Sequence, residues 1–143
     1  MSYGAYFQYL WRIKKCMKNY FIYYNRNPAG DFLEDCVTRA ISLGTGLEYD
    51  GVANLLEITS KRYKCDKLCV CCYHHLLEDV FRLPVKKCNN WERVKDICEM
   101  YPNNKVLVRI PNHLTLCNNG VVEDLWNCTE RLADCYWIVP NKN

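Results

Sequence analysis

The chain has 143 residues, of which half are hydrophobic, and its formal net charge is +3 at pH 7. This length and composition predict a single globular domain with a substantial core, and they argue against a disordered chain. The small net charge gives no strong signal for nucleic acid, and no stretch approaches the ~20 consecutive apolar residues of a membrane span.

The first 26 residues form a basic, tyrosine-rich segment that we expect to lie outside the core of the domain, which we place at residues 27–139. Apolar residues at spacings of three and four predict an amphipathic helix over residues 3–18, and the aromatic run 21–24 predicts a short strand. Five cations precede Asp31, the first acidic residue: Arg12, Lys14, Lys15, Lys18 and Arg26. They suit a solvated helix face; the alternative is a surface for an anionic ligand or partner.

Turn residues and hydrophobic spacing divide the rest of the chain into helices followed by strands. A loop over residues 25–30 precedes a helix that should end near Leu43, because Gly44 and Gly46 follow. Further helices are predicted over residues 50–60, 73–81 and 91–100, and strands over residues 105–110, 113–118, 121–127 and 134–139. Helices first and an antiparallel meander afterwards predict an α+β fold with segregated layers.

Cys36 lies in the first turn of the helix that follows the 25–30 loop. The unpaired N–H groups and the positive dipole end of a helix favour a thiolate there, which makes Cys36 a candidate nucleophile. Val37, Ala40 and Ile41 have the spacing of a buried face, so the helix should pack against the core. The alternative is that Cys36 is simply a small buried apolar residue. Asp35, directly before it, is an anion that would partly oppose thiolate formation.

The sequence Asn118-Asn119-Gly120 predicts a β-hairpin. A loop of Asn118 and Asn119 places His113 directly opposite Asp124, whereas a loop of Asn119 and Gly120 makes Asp124 the diagonal neighbour of His113. Both registers place His113 and Asp124 on one face, because strand side chains alternate. The two residues can act as a base and the carboxylate that orients it. A nucleophile on a helix packed against that face would complete the set.

Three segments together resemble small papain-like cysteine peptidase domains of the kind predicted in bacteriophages and their bacterial hosts. The motifs of these domains are a helix-opening Asp-Cys-x-x-Arg-Ala, a Gly/Asn-His-Leu/Val strand and an Asp-x-Trp-Asp/Asn strand. The matching segments are residues 35–41 (DCVTRAI), 113–115 (HLT) and 119–128 (NGVVEDLWNC), and the likeness covers roughly residues 27–139. The resemblance implies a papain-like fold in which the nucleophile helix packs on a C-terminal antiparallel sheet.

The resemblance also implies a role for each site residue. Cys36 would be the nucleophile, His113 the general base and then acid, and Asp124 the carboxylate that orients His113. Papain-like enzymes usually take an oxyanion donor from a Gln or Asn upstream of the cysteine, and no Gln lies in that stretch. Asn27, or as second choice Asn25, is therefore our candidate, together with the Cys36 backbone N–H. The substrate would be a peptide or small molecule, and no cofactor is expected.

A cluster of cysteines raises the question of a metal site. The chain has eleven cysteines and its start lacks the features of a secretory signal. We therefore expect mostly reduced thiols in a cytoplasmic protein, in the host cell's cytoplasm if the protein is phage-encoded. Four thiols lie close in sequence, beside His74: Cys65, Cys69, Cys71 and Cys72. Their spacing matches no common zinc knuckle, so we expect loop and core thiols without metal, and a zinc-stabilised interaction module is the third hypothesis.

Trp126 and Trp137 lie on predicted strands near the proposed cysteine and histidine. Core packing is their ordinary role, and stacking on a base or ring is the alternative. Together with Arg39 and the basic leading segment, they support a second hypothesis. The protein would then be a non-catalytic papain-like binder that sequesters a nucleotide-type signal or a host protein, as a phage counter-defence protein would. The first hypothesis is a papain-like cysteine hydrolase, and the sequence leaves the oligomeric state open.

Overall fold

A computed structural model describes residues 19–30 and 34–141 of the chain. Over these residues it consists of four helices and one six-stranded mixed sheet, so the α+β class is confirmed. The elements in chain order are β1 (Phe21–Tyr23), α1 (Cys36–Thr45), α2 (Tyr49–Tyr63), α3 (Val70–His75) with a π-helical turn (Leu76–Val80), β2 (Val85–Lys87), α4 (Val94–Met100), β3 (Lys105–Ile110), β4 (His113–Asn118), β5 (Val121–Asp124) and β6 (Cys135–Val139). The helix predicted over residues 3–18 lies outside the described residues.

The six strands lie in the order β1-β5-β4-β3-β6-β2. The predicted antiparallel meander is wrong in two respects, because β6 returns to pair with β3 instead of β5 and because one edge of the sheet is parallel. Strand β1 pairs in parallel with β5, with Phe21 opposite Val122, whereas the other strand pairings are antiparallel. The aromatic run that predicts a strand is therefore part of the sheet. The sequence gives no signal for β2 at the opposite edge, because its three residues are all exposed and show no apolar alternation.

Helices cover both faces of the sheet, and strand alternation decides which residues each helix contacts. On one face, α1, α2 and α3 share a hydrophobic cluster with Leu107, Leu116 and Trp137. On the other face, α4 shares a second cluster with Val106 and Val108. Neighbouring positions of β3 therefore belong to different clusters, as the period of two requires. Within the described ranges, no helix combines the length and apolarity needed to cross a membrane.

Helix α1 is longer than predicted, because Gly44 lies inside it instead of ending it. A Cβ added to Gly44 would lie 3.3 Å from Leu116 Cδ1 and 3.5 Å from Leu107 Cδ2, so the missing side chain lets the helix approach the sheet closely. Gly46 ends the helix in the left-handed conformation, with a φ of 78°. This close packing positions the first turn of α1, and with it Cys36.

The β4–β5 hairpin adopts the second of the two predicted registers. Asn118 pairs with Val121, so Asn119 and Gly120 form the two-residue loop. Both loop residues have positive φ, 50° and 85°, as a type I′ turn requires. Because this turn fixes the pairing of the two strands, it also fixes the positions of His113 and Asp124 relative to each other.

The turn can be tested by stability measurements. Gly120→Ala should lower the free energy of unfolding by about 1–2 kcal/mol, because an L-residue is strained in the left-handed region. The new Cβ would also lie 3.4 Å from the carbonyl oxygen of Cys98. Gly51→Ala in α2 is the matched control, since its Cβ would meet nothing within 4 Å. Alanine there should be neutral or stabilise by up to about 1 kcal/mol. Equal effects of the two variants in urea unfolding would contradict the assigned turn.

Candidate active site

Cys36 is the first residue of α1, and its thiol is half-buried. The imidazole of His113, at the start of β4, and the backbone N–H of Leu114 both hydrogen-bond its sulfur. The backbone N–H of Cys36 has no acceptor within the helix, because it belongs to the first turn. The structure thus brings together the cysteine and the histidine that the sequence predicts as partners.

Asp124 occupies the far side of the His113 ring, with 2.6 Å between His113 Nε2 and Asp124 Oδ2. Strands β4 and β5 pair with Cys117 opposite Val122. If this pairing is extended by two residues, Thr115 lies opposite Asp124, and His113 is the diagonal neighbour of Asp124. Thr115 Oγ1 donates to the same carboxylate oxygen over 2.6 Å. The backbone N–H of Leu125 donates to the other oxygen over 2.7 Å. These bonds fix the carboxylate in the orientation that places Oδ2 against the histidine.

Arg39 connects the start of α1 to the end of β5 through two buried carboxylates. Its Nε donates to Asp35 Oδ1 over 2.7 Å, and its Nη1 donates to Asp124 Oδ1 over 2.9 Å. The whole residue is only 6% exposed. Sequence reasoning placed Arg39 in contact with substrate. Its hydrogen bonds show that it positions Asp124, and because Arg39 also lines the cleft beside Cys36, contact with a substrate stays a prediction.

Asp35 is compensated by several donors, although it directly precedes the nucleophile. Besides the Arg39 guanidinium, the Tyr49 hydroxyl donates to Asp35 Oδ2 over 2.6 Å. Asn27 Nδ2 donates to the same oxygen over 3.2 Å. Partners on both carboxylate oxygens weaken the field that this anion exerts on its neighbours. The expected opposition to a thiolate at Cys36 is therefore reduced.

The pKa of the Cys36 thiol lies below its ordinary value. Burial alone would raise this pKa, but the hydrogen bonds from His113 and from the Leu114 N–H, together with the charges of His113 and Arg39, outweigh it. A thiolate is the nucleophilic form of cysteine, so these contacts favour reactivity near neutral pH.

The pKa of His113 is raised to about 11. Burial would lower it, but hydrogen bonds with Asp124, Cys128 and Cys36 stabilise the imidazolium more strongly. Burial would likewise raise the pKa of Asp124, but its bond with His113 lowers it. Five groups of alternating charge therefore follow one another through the site: Asp35 (negative), Arg39 (positive), Asp124 (negative), His113 (positive) and Cys36 (negative).

Cys128 is a second thiol at the histidine, and sequence reasoning gave it no role. It is fully buried and hydrogen-bonds His113. Its sulfur, a His113 nitrogen and an Asp124 carboxylate oxygen all lie within 4.8 Å of one another. Cys128 follows the end of β5, so strand alternation could not place it.

Helix α1 does not pack on the sheet face that the sequence suggested. By strand alternation, His113 belongs with Thr115 and Cys117, and Cys117 lies in the cluster that contacts α4. Helix α1 instead contacts Leu114 and Leu116 on the opposite face. Cys36 reaches His113 at the end of the sheet, where β4 begins and the alternation no longer separates the two sides.

A cleft with a volume of about 490 Å³ opens beside Cys36 and His113. Its other walls are formed by Glu34, Val37, Arg39, Leu68, Asn112, Leu125 and Trp126. Trp126 is 39% exposed, and its ring centroid lies 4.9 Å from that of His113. An adjoining cavity of about 550 Å³ shares Asn112, His113 and Trp126 and adds two cations, Arg93 and Arg131.

Asn27 and Asn112 differ in their relation to the cleft. Asn27 is buried, with its Nδ2 on Asp35 and its Oδ1 accepting the Ala29 N–H over 2.9 Å. It is not among the residues that line the cleft, so its oxyanion role stays a prediction. Asn112 lines both cavities with a left-handed backbone, at a φ of 60°. Its position directly before His113 in the sequence is the signal that could have identified Asn112 as a residue of the site.

The remaining candidates lie elsewhere. Trp137 is fully buried in the core and cannot stack on a ligand in the cleft. His74 Nε2 lies 2.9 Å from Arg109 Nη1, while the His75 ring stacks on Tyr63. Three of the four clustered thiols converge, with the sulfurs of Cys65, Cys69 and Cys71 within 4.8 Å of one another.

Comparison of the chain with protein-family models, with curated proteins and with solved structures finds no match. The resemblance to papain-like peptidases therefore stays a prediction that depends on the residues of the site.

The bridging role of Arg39 predicts a large loss of stability in Arg39→Met. The substitution leaves two buried carboxylates without their shared cation, which should cost about 3–5 kcal/mol of unfolding free energy. Arg39→Lys should recover only part of the loss, because one ammonium lacks the fork that reaches both acids. Lys61→Met is the matched control, since Lys61 forms an exposed pair with Glu57 at 4.0 Å and should change stability by at most about 1 kcal/mol. Similar effects of Arg39→Met and Lys61→Met in urea unfolding would contradict the bridge.

The lowered pKa predicts that Cys36 reacts with limiting iodoacetamide at pH 6, where an ordinary thiol is almost wholly protonated. The rate should fall only as the pH drops through the lowered pKa. His113→Ala should shift this dependence to higher pH by removing the bond that favours the thiolate.

Cys88 is an internal reference for this experiment, because burial raises its pKa to about 12 and this half-buried thiol should stay unlabelled at pH 6. His75→Ala, at an exposed histidine outside the cleft, is the matched control. Peptide mapping that finds Cys36 labelling unchanged in His113→Ala would rule out the proposed pairing.

Proposed function

We propose that the chain is a papain-like cysteine hydrolase that cleaves an acyl or amide bond with Cys36, His113 and Asp124. The observation that supports this most is the connected series of thiol, imidazole and carboxylate beside an open cleft. A structural cysteine needs neither a histidine partner nor a carboxylate behind that histidine.

The reaction would proceed in two steps. The Cys36 thiolate attacks the carbonyl carbon of the substrate, and the carbonyl oxygen takes up the negative charge. His113 donates a proton to the leaving nitrogen or oxygen as its bond to carbon breaks, which leaves a thioester on Cys36. Neutral His113 then takes a proton from water as the water attacks the thioester. The C–S bond breaks, a carboxylic acid leaves and the thiolate is regenerated.

The oxyanion formed in each step requires hydrogen-bond donors. The backbone N–H of Cys36 is the first, because it lacks an acceptor within α1. Asn112 is a second candidate, since it carries the only carboxamide among the described residues that line the cleft beside Cys36. Asn27 is a less direct candidate, because its amide is bound to Asp35.

Binding without turnover is the alternative, and one observation favours it. Trp126 is partly exposed beside His113, with the Arg131 guanidinium 5.7 Å from its ring centroid. An aromatic plane next to cations suits a ring that carries an anionic group, such as a nucleotide-type signal. This hypothesis no longer draws on Trp137, which is buried in the core, whereas Arg39 lines the cleft but is already paired with two carboxylates.

The hydrolase proposal predicts a covalent acyl-enzyme. p-Nitrophenyl acetate and a set of peptidyl aminomethylcoumarin amides are suitable probes, because cleavage of either releases a chromophore. Intact-mass spectrometry of the wild type should find one acyl group, and peptide mapping should place it on Cys36. Cys36→Ala should reduce probe cleavage to the uncatalysed background and abolish the acyl group. Cys88→Ala, which removes another half-buried thiol outside the cleft, should leave both unchanged.

The alternative predicts a different pattern. A binding protein would form no acyl-enzyme on Cys36. It would retain its affinity for nucleotides in Cys36→Ala and lose it in Trp126→Ala. That pattern would overturn the hydrolase proposal.

A further inference from the structure

We propose that Cys65, Cys69 and Cys71 form a metal site that binds one zinc ion through three thiolates. The inference is independent of the proposed hydrolase. The sequence spacing alone favours thiols without metal, and the arrangement of the three side chains is the reason to propose otherwise.

The three thiols converge from separate places in the chain. Cys65 follows α2, Cys69 is the residue that caps α3, and Cys71 lies in the first turn of α3. All three sulfurs lie within 4.8 Å of one another, and those of Cys69 and Cys71 are 3.0 Å apart. Sulfurs bound to one tetrahedral zinc at ~2.3 Å each lie roughly 3.8 Å from one another. The spacing of the three is therefore of the size that one ion requires.

Hydrophobic packing explains this convergence only in part, because Cys65 and Cys69 pack against the core cluster of α1–α3 but Cys71 does not belong to it. Cys71 is exposed, and Cys65 and Cys69 are only half-buried. Cysteines that act as small apolar core residues are fully buried, as Cys98 and Cys117 are on the other face of the sheet. Three polar, oxidisable side chains gathered at the surface suit a ligand that draws them together.

The backbone around the cluster supports a thiolate site. Cys69 is the N-cap residue of α3, so the N–H groups of the first helical turn, which have no acceptor within the helix, lie next to it. The short loop between Cys65 and Cys69 is ordered by Asp66, whose carboxylate accepts the Leu68 N–H over 2.8 Å and whose carbonyl accepts the Cys69 N–H over 3.0 Å.

The charge of the neighbouring chain also suits the site. Three thiolates and one zinc ion carry a net charge of −1. Residues 61–67 contain four cations and one anion, Asp66, and two of the cations, Lys61 and Lys67, pair with Glu57. Soft thiolate ligands select zinc over the harder magnesium and calcium ions.

Cys72 is not a ligand in this proposal. Its sulfur is buried and donates to the carbonyl oxygen of Leu56 at 3.6 Å. Neither neighbouring histidine is free for the position, because His75 pairs with Asp79 at 2.8 Å and His74 contacts Arg109. The fourth position therefore belongs to solvent or to an external ligand on the exposed side, next to Cys71.

The site would also stabilise one wall of the catalytic cleft. Leu68 lies in the loop between Cys65 and Cys69 and lines the cleft beside Cys36. A zinc ion that joins both ends of this loop would restrict Leu68. Loss of the zinc ion should therefore weaken substrate binding in the cleft. It should not change the rate at which saturating iodoacetamide alkylates Cys36.

The test is the metal content of the full chain, purified with zinc and then desalted. Elemental analysis should find about one zinc per chain, and low pH should release the ion as the thiolates take up protons. Cobalt added in place of zinc should produce a thiolate-to-metal charge-transfer band in the near ultraviolet. Cys71→Ser and Cys69→Ser should lose most of the zinc and the band. Cys88→Ser is the matched control and should keep both, as should Cys72→Ala. Because Cys71 is exposed, its serine variant should retain the circular dichroism of the wild type.

Three results would overturn the proposal. The first is wild-type protein without zinc whose melting temperature does not respond to a chelator. The second is a disulfide within the cluster in freshly purified, metal-free protein. The third is zinc that persists in Cys71→Ser and disappears in Cys128→Ser, which would place the ion at His113, Asp124 and Cys128. The third result would also contradict the proposed hydrolase, whereas the first two would leave it untouched.

Discussion

The candidate site depends on one buried guanidinium. Arg39 donates to Asp35 at the start of α1 and to Asp124 at the end of β5, so it joins the element that carries the thiol to the element that orients the histidine. Without this cation, two buried carboxylates would face each other across the same space. Their repulsion and desolvation would separate the two elements or protonate one acid.

The same arrangement explains how a thiolate can be stable directly after an aspartate. Asp35, Arg39, Asp124 and His113 form three successive ion pairs, and each of these side chains is at most 9% exposed. Low local dielectric strengthens every attraction in such a series, but it also makes removal of any member costly. A network of this kind is poor evidence of stability for its own sake. Its effect in this structure is to hold a charged histidine beside a charged thiol.

Sequence reasoning predicted those features that depend on local rules. The helix start at Cys36, the strands β3 and β4 and the alternatives for the hairpin register all follow from spacing and turn chemistry. The choice between the two registers required the positive φ values of Asn119 and Gly120, which Asn-Gly favours but does not dictate. The predicted partnership of Cys36, His113 and Asp124 agrees with the geometry.

Features that depend on tertiary packing could not be predicted. Nothing in residues 21–23 indicates a parallel partner more than ninety positions later. The alternation of side chains along a strand also does not reveal that α1 packs on the opposite face of the sheet, or that Cys36 contacts His113 at the end of the sheet. The hydrogen bond of Arg39 to Asp124 and the contact of Cys128 with His113 could not be predicted either, because both join residues far apart in sequence.

The central claim is that His113 is held as an imidazolium beside the Cys36 thiolate. The most direct measurement is the protonation state of its two ring nitrogens by nitrogen-15 NMR at pH 8, with His113 assigned by its absence from His113→Ala. A pKa of about 11 predicts that both nitrogens carry protons there and that the ring loses one only well above pH 8. A neutral ring at pH 8, with the ordinary titration of histidine near pH ~6.5, would contradict the account.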